Sequence, residues 1–297
     1  MEFSSLMLGT VQFGMDYGIA NRAGNPSQAA VCEMISYAWE HGVNCLDTAA
    51  AYGDSEEVVG KALSELNLQG KMKIISKVAH IPEGITYNEL LLYIQDSVET
   101  SLRRLQVDYL DVCLFHHEKY FYAIEILARM KDRGLIKSTG ISFSGVSFKE
   151  VSKVLLSSFV DAVQIPGSIL DRRFEDSGYR LAQENTIPVF VRSTYLQGLL
   201  LMDTAPLILH EMQPALDCIG ELSLQHHLTR EAICARYMLG IDGVSSLLMG
   251  VDNIDQLQEN INLIAQGPLS PELQTEISNS LPLLPERLLS PSLWPKE

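Results

Sequence analysis

Eight short apolar runs, each followed by a loop and usually by a helical pattern, constrain this chain more than anything else in it. They fall at 6–9, 44–48, 73–78, 111–116, 138–143, 162–166, 188–193 and 246–250. Several are continuous stretches rather than alternating ones, the pattern of strands buried on both faces of a parallel sheet. Between them lie amphipathic helices. In 26–41, Val31, Met34, Ile35 and Ala38 form one stripe, with Asn25 as expected N-cap, Pro26 at the first helical position and Gly42 as the stop. The stripe recurs in 87–105 (Leu91, Ile94, Val98, Leu102, Leu105). It recurs again in 252–264 (Ile254, Leu257, Ile261 and Leu263 or Ile264), where Asp252 is the expected cap.

Strands alternating with helices leave an open doubly wound sheet or a closed barrel. The first run is not followed by G-x-G-x-x-G, and no long polar linker divides the chain. The expectation is therefore an α/β fold, a (β/α)8 TIM barrel, with residues 1–297 as a single domain. The interval 194–245 is expected to be a large functional loop after strand 7. The Pro-rich tail from about 267 is expected to pack on the barrel as a short helix and an extended segment.

Charge narrows the function. Twenty-two Lys and Arg against 37 Asp and Glu give −15, which argues against nucleic acid and against anionic membrane surfaces. Five cysteines without a C-x-x-C pair indicate neither a disulfide framework nor a thiolate metal site, and His226-His227 lack spaced co-ligands, so no metal is expected. The N-terminus has no basic segment leading into a long apolar stretch, and no apolar run is long enough to span a membrane. A cytoplasmic protein is expected.

In a barrel, function collects at the C-terminal strand ends. Those ends carry Gln12, Asp47 with Tyr52 five residues on, Lys77, His116, Ser142, Gln164 and Arg192. Buried Asp and Lys are rare unless paired, and Asp47 and Lys77 sit on adjacent strands. An ammonium lowers the pKa of a neighbouring tyrosine, a carboxylate keeps that ammonium charged, and a histidine can donate to a carbonyl oxygen. Such a set protonates a carbonyl but holds no electron source, so a reduction needs hydride from a nicotinamide cofactor.

The segment L-D-T-A-A-A-Y-G-D-S-E-E-V-V-G-K-A-L at 46–63 resembles the signature D-T-A-x-x-Y-G-x-S-E-x-x-x-G of the aldo-keto reductases. So do I-I-S-K ending at Lys77, Y-L-D-V-C-L-F-H ending at His116, G-L-I-K-S-T-G-I-S at 134–142, V-Q-I-P at 163–166, Q-G-L-L at 197–200 and M-G-V-D-N-I-D-Q-L-Q-E-N at 249–260. The resemblance implies a catalytic tetrad. Tyr52 is the proton donor in reduction and the base in oxidation, Lys77 depresses its pKa, Asp47 holds Lys77, and His116, rather than the neighbouring His117, orients the carbonyl. It implies that Ser142 and Gln164 hold the nicotinamide carboxamide, and that Gln197, Gly198 and Leu199 belong to the loop around the pyrophosphate. Glu259 and Asn260 then contact adenine, with Gly250, Asn253 and Gln256 in the same adenosine segment.

Two departures stand out. Phe143 follows Ser142 where many relatives have Asn, and Arg192 takes the place of the aromatic that stacks on nicotinamide. At Gly250 and Gln256, where relatives that prefer NADPH often carry Lys or Arg, neither residue is basic, and Asp252 and Asp255 lie nearby. NADP(H) is the family default and NAD(H) its competitor. The expected function is hydride transfer between such a cofactor and a small aldehyde, ketone or sugar. The alternatives are a lyase or isomerase forming a Schiff base on Lys77, and a cofactor-binding partner protein with little turnover. Substrate choice is assigned to the loops at 15–24, with Met15 and Tyr17, at 117–122 and at 201–228.

Overall fold

A computed structural model describes residues 2–19, 24–144, 148–175 and 177–294. Eight parallel strands close into a barrel in sequence order: β1 (Leu6–Gly9), β2 (Cys45–Asp47), β3 (Lys73–Val78), β4 (Leu110–Phe115), β5 (Ile136–Ser142), β6 (Ala162–Pro166), β7 (Val189–Arg192) and β8 (Val244–Gly250). The outer helices are α1 (Gln28–Glu40), α2 (Ser55–Glu65), α3 (Tyr87–Leu105), α4 (Ile124–Asp132), α5 (Phe148–Leu155), α6 (Gly178–Glu184), α7 (Gln213–His226), α8 (Arg230–Leu239) and α9 (Ile254–Ala265). The tail adds α10 (Pro271–Ser280) and α11 (Glu286–Leu289). The expected (β/α)8 barrel is thus the observed architecture.

The sheet separates two apolar clusters. Met7, Cys45, Ile75, Val112, Leu114, Ala162 and Phe190 fill the barrel interior, with Phe3 edge-on to Phe190 beneath them. The larger cluster lies between strands and helices and takes the alternate residues, such as Leu46, Ile74 and Cys113. Side chains along a strand alternate faces, so each interior residue fixes what stands two positions on. Cys45 leads to Asp47, Ile75 to Lys77, Leu114 to His116, Ala162 to Gln164 and Phe190 to Arg192. A ring of polar side chains therefore caps an apolar interior at the C-terminal end.

Several local expectations shift. The first helix is capped by Ser27, whose hydroxyl accepts from the Ala30 N–H at 3.3 Å, and not by Asn25; Ser27 is extended and within reach of the third helical amide. The four residues of its stripe are all buried. On α9 the cap is Asn253, accepting from the Gln256 N–H at 3.0 Å, and not Asp252. Ile264, not Leu263, joins the core. The interval 194–245 is mostly helical, because Ala215, Leu216, Ile219 and Leu222 give α7 a buried stripe and Thr229 caps α8; only its first residues remain a site loop. The tail forms two helices where one was expected. Among the described residues, no helix is long and apolar enough to cross a membrane.

Candidate active site

The signature segment divides into residues that face the cavity and residues that build the floor. Asp47 ends β2, and its carboxylate takes Lys77 Nζ at 2.8 Å (Oδ1) and 2.7 Å (Oδ2). The third Lys77 donor goes to Thr48 O at 2.9 Å. Both side chains are almost fully buried. The loop then turns through Gly53, whose φ of +54° favours glycine, and a Cβ on Gly53 or on Gly14 would collide with the other segment's backbone. This contact locks the Tyr52 loop against the loop after β1. Ser55 ties the floor together, bonding Thr10 Oγ1 at 2.8 Å, Thr48 Oγ1 at 3.0 Å and Thr10 O at 2.7 Å. Glu56 is buried and accepts from Ser76 Oγ at 2.6 Å. Gly60 lets α2 press against the backbone of Arg104 and Leu105 on α3.

Tyr52 stands over this pair, with Lys77 Nζ 4.9 Å from its ring centroid. The His116 ring meets Tyr52 edge-on at 5.6 Å and stacks on His80 at 5.2 Å. Burial pushes the Tyr52 pKa up, and the Lys77 charge only partly offsets it. Lys77 lowers the Tyr52 pKa as expected, but desolvation of the phenolate outweighs it and holds the hydroxyl protonated. Burial alone would lower the Lys77 pKa, but the Asp47 charge and hydrogen bonds together with Tyr52 raise it. A buried, charged ammonium with its donors committed is a poor Schiff-base nucleophile. The His116 pKa falls to about 3, through burial first and then through the charges of Lys77, His80 and Arg192. Its imidazole is therefore neutral and able to donate from one nitrogen.

A cavity of about 350 Å³ opens from this point and runs past the ends of β7 and β8 to α9. Of the residues the sequence singled out, it brings together Asp47, Tyr52, Arg192, Gln197 and Gly198, and further out Gly250, Gln256, Glu259 and Asn260. Others lie behind it. Ser142 Oγ donates to Gln164 Oε1 at 3.1 Å, and Gln164 Nε2 donates to Asp47 Oδ1 at 2.8 Å, so these two extend the Asp47 network. Leu199 is buried in the core, and Asn253 spends its side chain on the α9 cap. Phe143 is buried, and its carbonyl accepts from Arg192 Nη2 at 2.7 Å. Tyr17 also lines the cavity and accepts from Gln197 Nε2 at 3.2 Å, joining the loops after β1 and β7 across its mouth. Residues 20–23 of the first specificity loop lie outside the described residues. Sequence reasoning missed Glu231, which lines the cavity from the first turn of α8; no motif marks it.

An elongated pocket with acceptors along its wall suits a dinucleotide. Gln12 Oε1 and Asp252 Oδ1 are both buried without partners in that wall, as expected of groups that await a donor. The (β/α)8 barrel thus brings Asp47, Lys77, Tyr52 and His116 together at its C-terminal end, beside a long cavity over β7 and β8, the placement expected of a hydride-transfer enzyme.

Comparison with known proteins agrees. Residues 5–281 match the sequence profile described as "Aldo/keto reductase family", and the chain belongs to that family, whose members are NAD(P)-dependent oxidoreductases of carbonyls and alcohols. It is 28% identical over 211 residues to the aldo-keto reductase YhdN of Bacillus subtilis, covering 67% of this chain and 61% of that one. It is 31% identical over 189 residues to the NADH-specific methylglyoxal reductase of Escherichia coli, covering 57% of each. An aldo-keto reductase of Bacillus halodurans, solved in its holo form, superposes with a TM-score of 0.76 at 27% identity, covering 95% of this chain and 93% of that one.

Proposed function

We propose that this protein transfers hydride between a nicotinamide dinucleotide bound in the long cavity and a small aldehyde, ketone or sugar bound above Tyr52. The observation that carries this reading is the convergence of Lys77 and His116 on Asp47 and Tyr52, which line one end of that cavity. When bound, the dinucleotide supplies the hydride that the protein lacks. In reduction, the Tyr52 hydroxyl passes its proton to the substrate oxygen, and neutral His116 donates a hydrogen bond to that oxygen. Lys77, held charged by Asp47, stabilises the phenolate that results. In oxidation Tyr52 recovers the proton. Ser142 and Gln164 hold Asp47 in place from behind.

The cavity favours NAD(H), although the family generally uses NADP(H). Its outer end is lined by Asp252, Glu231 and Glu259, and Arg192, at the opposite end, is its only Lys or Arg among the described lining residues. A 2′-phosphate would meet carboxylates there instead of fixed cations. The NADH-specific relative in Escherichia coli supports the same direction. Turnover of a carbonyl and sugar panel, followed at 340 nm with each cofactor, tests both statements. The expectation is oxidation of NADH at least as efficient as that of NADPH. A tenfold preference for NADPH overturns the cofactor assignment, and turnover of no member with either cofactor overturns the reading.

A further inference from the structure

Charge at the Tyr52 end of the cavity does not balance. Asp47 and Lys77 cancel one another at 2.7 Å, and His116 is neutral, its pKa driven down to about 3 by burial and by the surrounding cations. Arg192 is the only Lys or Arg among the described residues that line the cavity. It lines the cavity with Asp47 and Tyr52. Its guanidinium is held by a carbonyl, Phe143 O at 2.7 Å, and a hydroxyl, Ser193 Oγ at 3.0 Å. No carboxylate among the described residues pairs with it. Because β6 lies between β5 and β7, the bond to Phe143 draws the side chain across the end of β6.

We propose that Arg192 senses the oxidation state of the nicotinamide and makes the protein hold the reduced dinucleotide more tightly than the oxidised one. This rests on the reading that the cavity binds a nicotinamide dinucleotide with its ring at the Tyr52 end. The oxidised ring is a cation and the reduced ring is neutral, and the rest of the molecule is unchanged. A fixed, uncompensated cation beside the ring therefore acts on the difference between the two forms. Unit charges roughly 6 Å apart at an effective dielectric of about 20 repel strongly enough to change an affinity ratio by about tenfold or more. An aromatic side chain at this strand end would act in the opposite sense, since its negative face attracts a cationic ring. By linkage, the same factor shifts the equilibrium on the enzyme toward carbonyl and reduced dinucleotide.

The test is the equilibrium Kd of NADH and of NAD⁺, measured by titration calorimetry on the full chain and on Arg192→Lys, Arg192→Gln and Arg192→Tyr. The wild type is expected to bind NADH about tenfold or more tighter than NAD⁺. Arg192→Lys should keep that ratio within about threefold, Arg192→Gln should lower it about tenfold, and Arg192→Tyr should lower it further. A wild-type ratio near one overturns the proposal whether or not the variants fold. So does a large ratio that Arg192→Gln leaves unchanged. If neither NADH, NAD⁺, NADPH nor NADP⁺ binds the wild type, the assignment of the cavity itself has failed, and the proposal falls with it.

Discussion

At the scale of single residues, His116 makes the sharpest claim. Its pKa stands at about 3 in the folded protein against 6.5 for an ordinary histidine, because burial and nearby cations oppose its protonation. Below pH 6.5 the unfolded chain takes up a proton that the folded one refuses, so folding stability is full above 6.5 and declines as pH falls toward 3. Chemical denaturation between pH 7 and 4 should show this decline, and His116→Asn should flatten it; an unchanged slope would place the titration elsewhere. The pairing of Asp47 with Lys77 was legible because charged groups closing apolar strands need partners. The state of Tyr52 was not, because the cost of burying a phenolate depends on surroundings that spacing does not reveal. Glu56 was equally opaque. It belongs to the same signature, yet it is 1% exposed and hydrogen-bonded to Ser76 beneath the site. Glu56→Ala should lower stability by about 1–3 kcal/mol, read as the thermal midpoint, by stranding Ser76 and opening a void.

At the scale of elements, the loop between β2 and α2 is a rigid mount. Gly14 and Gly53 meet backbone to backbone, and Gly53 adopts φ +54°. Gly14→Ala must push the two loops apart and carry Tyr52 with them. A displacement of about 1 Å at a catalytic group can cost on the order of 100-fold in rate. Steady-state kinetics should show that loss in kcat more than in KM, and a kcat within twofold of wild type would show that the loops can part without moving the hydroxyl. The strands and the three helices read from periodicity, α1, α3 and α9, fall within one or two residues of their expected bounds, whereas α7 and α8 lie where a loop was expected. Caps were not, because Asn25 and Ser27, or Asp252 and Asn253, are chemically equivalent choices until the chain direction is known. The second case matters to the site, since a cap at Asn253 leaves Asp252 free to face the cavity.

At the scale of the whole molecule, the tail closes the outer layer. His226 on α7 reaches Glu276 on α10 at 3.0 Å, Tyr237 on α8 reaches Ser278 at 2.7 Å, and Arg287 pairs with Glu211 at 2.6 Å. Ile277 is fully buried beneath α10. Ile277→Ala should cost about 2–4 kcal/mol in denaturant unfolding and leave kcat within twofold, since α10 is hydrogen-bonded to Arg172, Cys218, Gln225, His226 and Tyr237, none of which lines the cavity; an equal loss of activity would tie the tail to the site. The barrel itself was legible, because its strands are apolar on both faces and its strand ends are not. The tail was only half legible, because prolines mark where helices begin as well as where they stop. The net charge of −15 also takes on a local meaning, since three carboxylates line the outer end of the pocket and a lone guanidinium the inner end.

The central claim is that Tyr52 moves the proton while the rest of the site holds the reactants. Single-turnover oxidation of bound NADH by an accepted carbonyl, compared between wild type and Tyr52→Phe at equal cofactor occupancy, tests it directly. The account predicts a loss of about 100- to 10,000-fold in the hydride-transfer rate, with the Kd for NADH within about threefold of wild type. A variant that transfers hydride at the wild-type rate would contradict it.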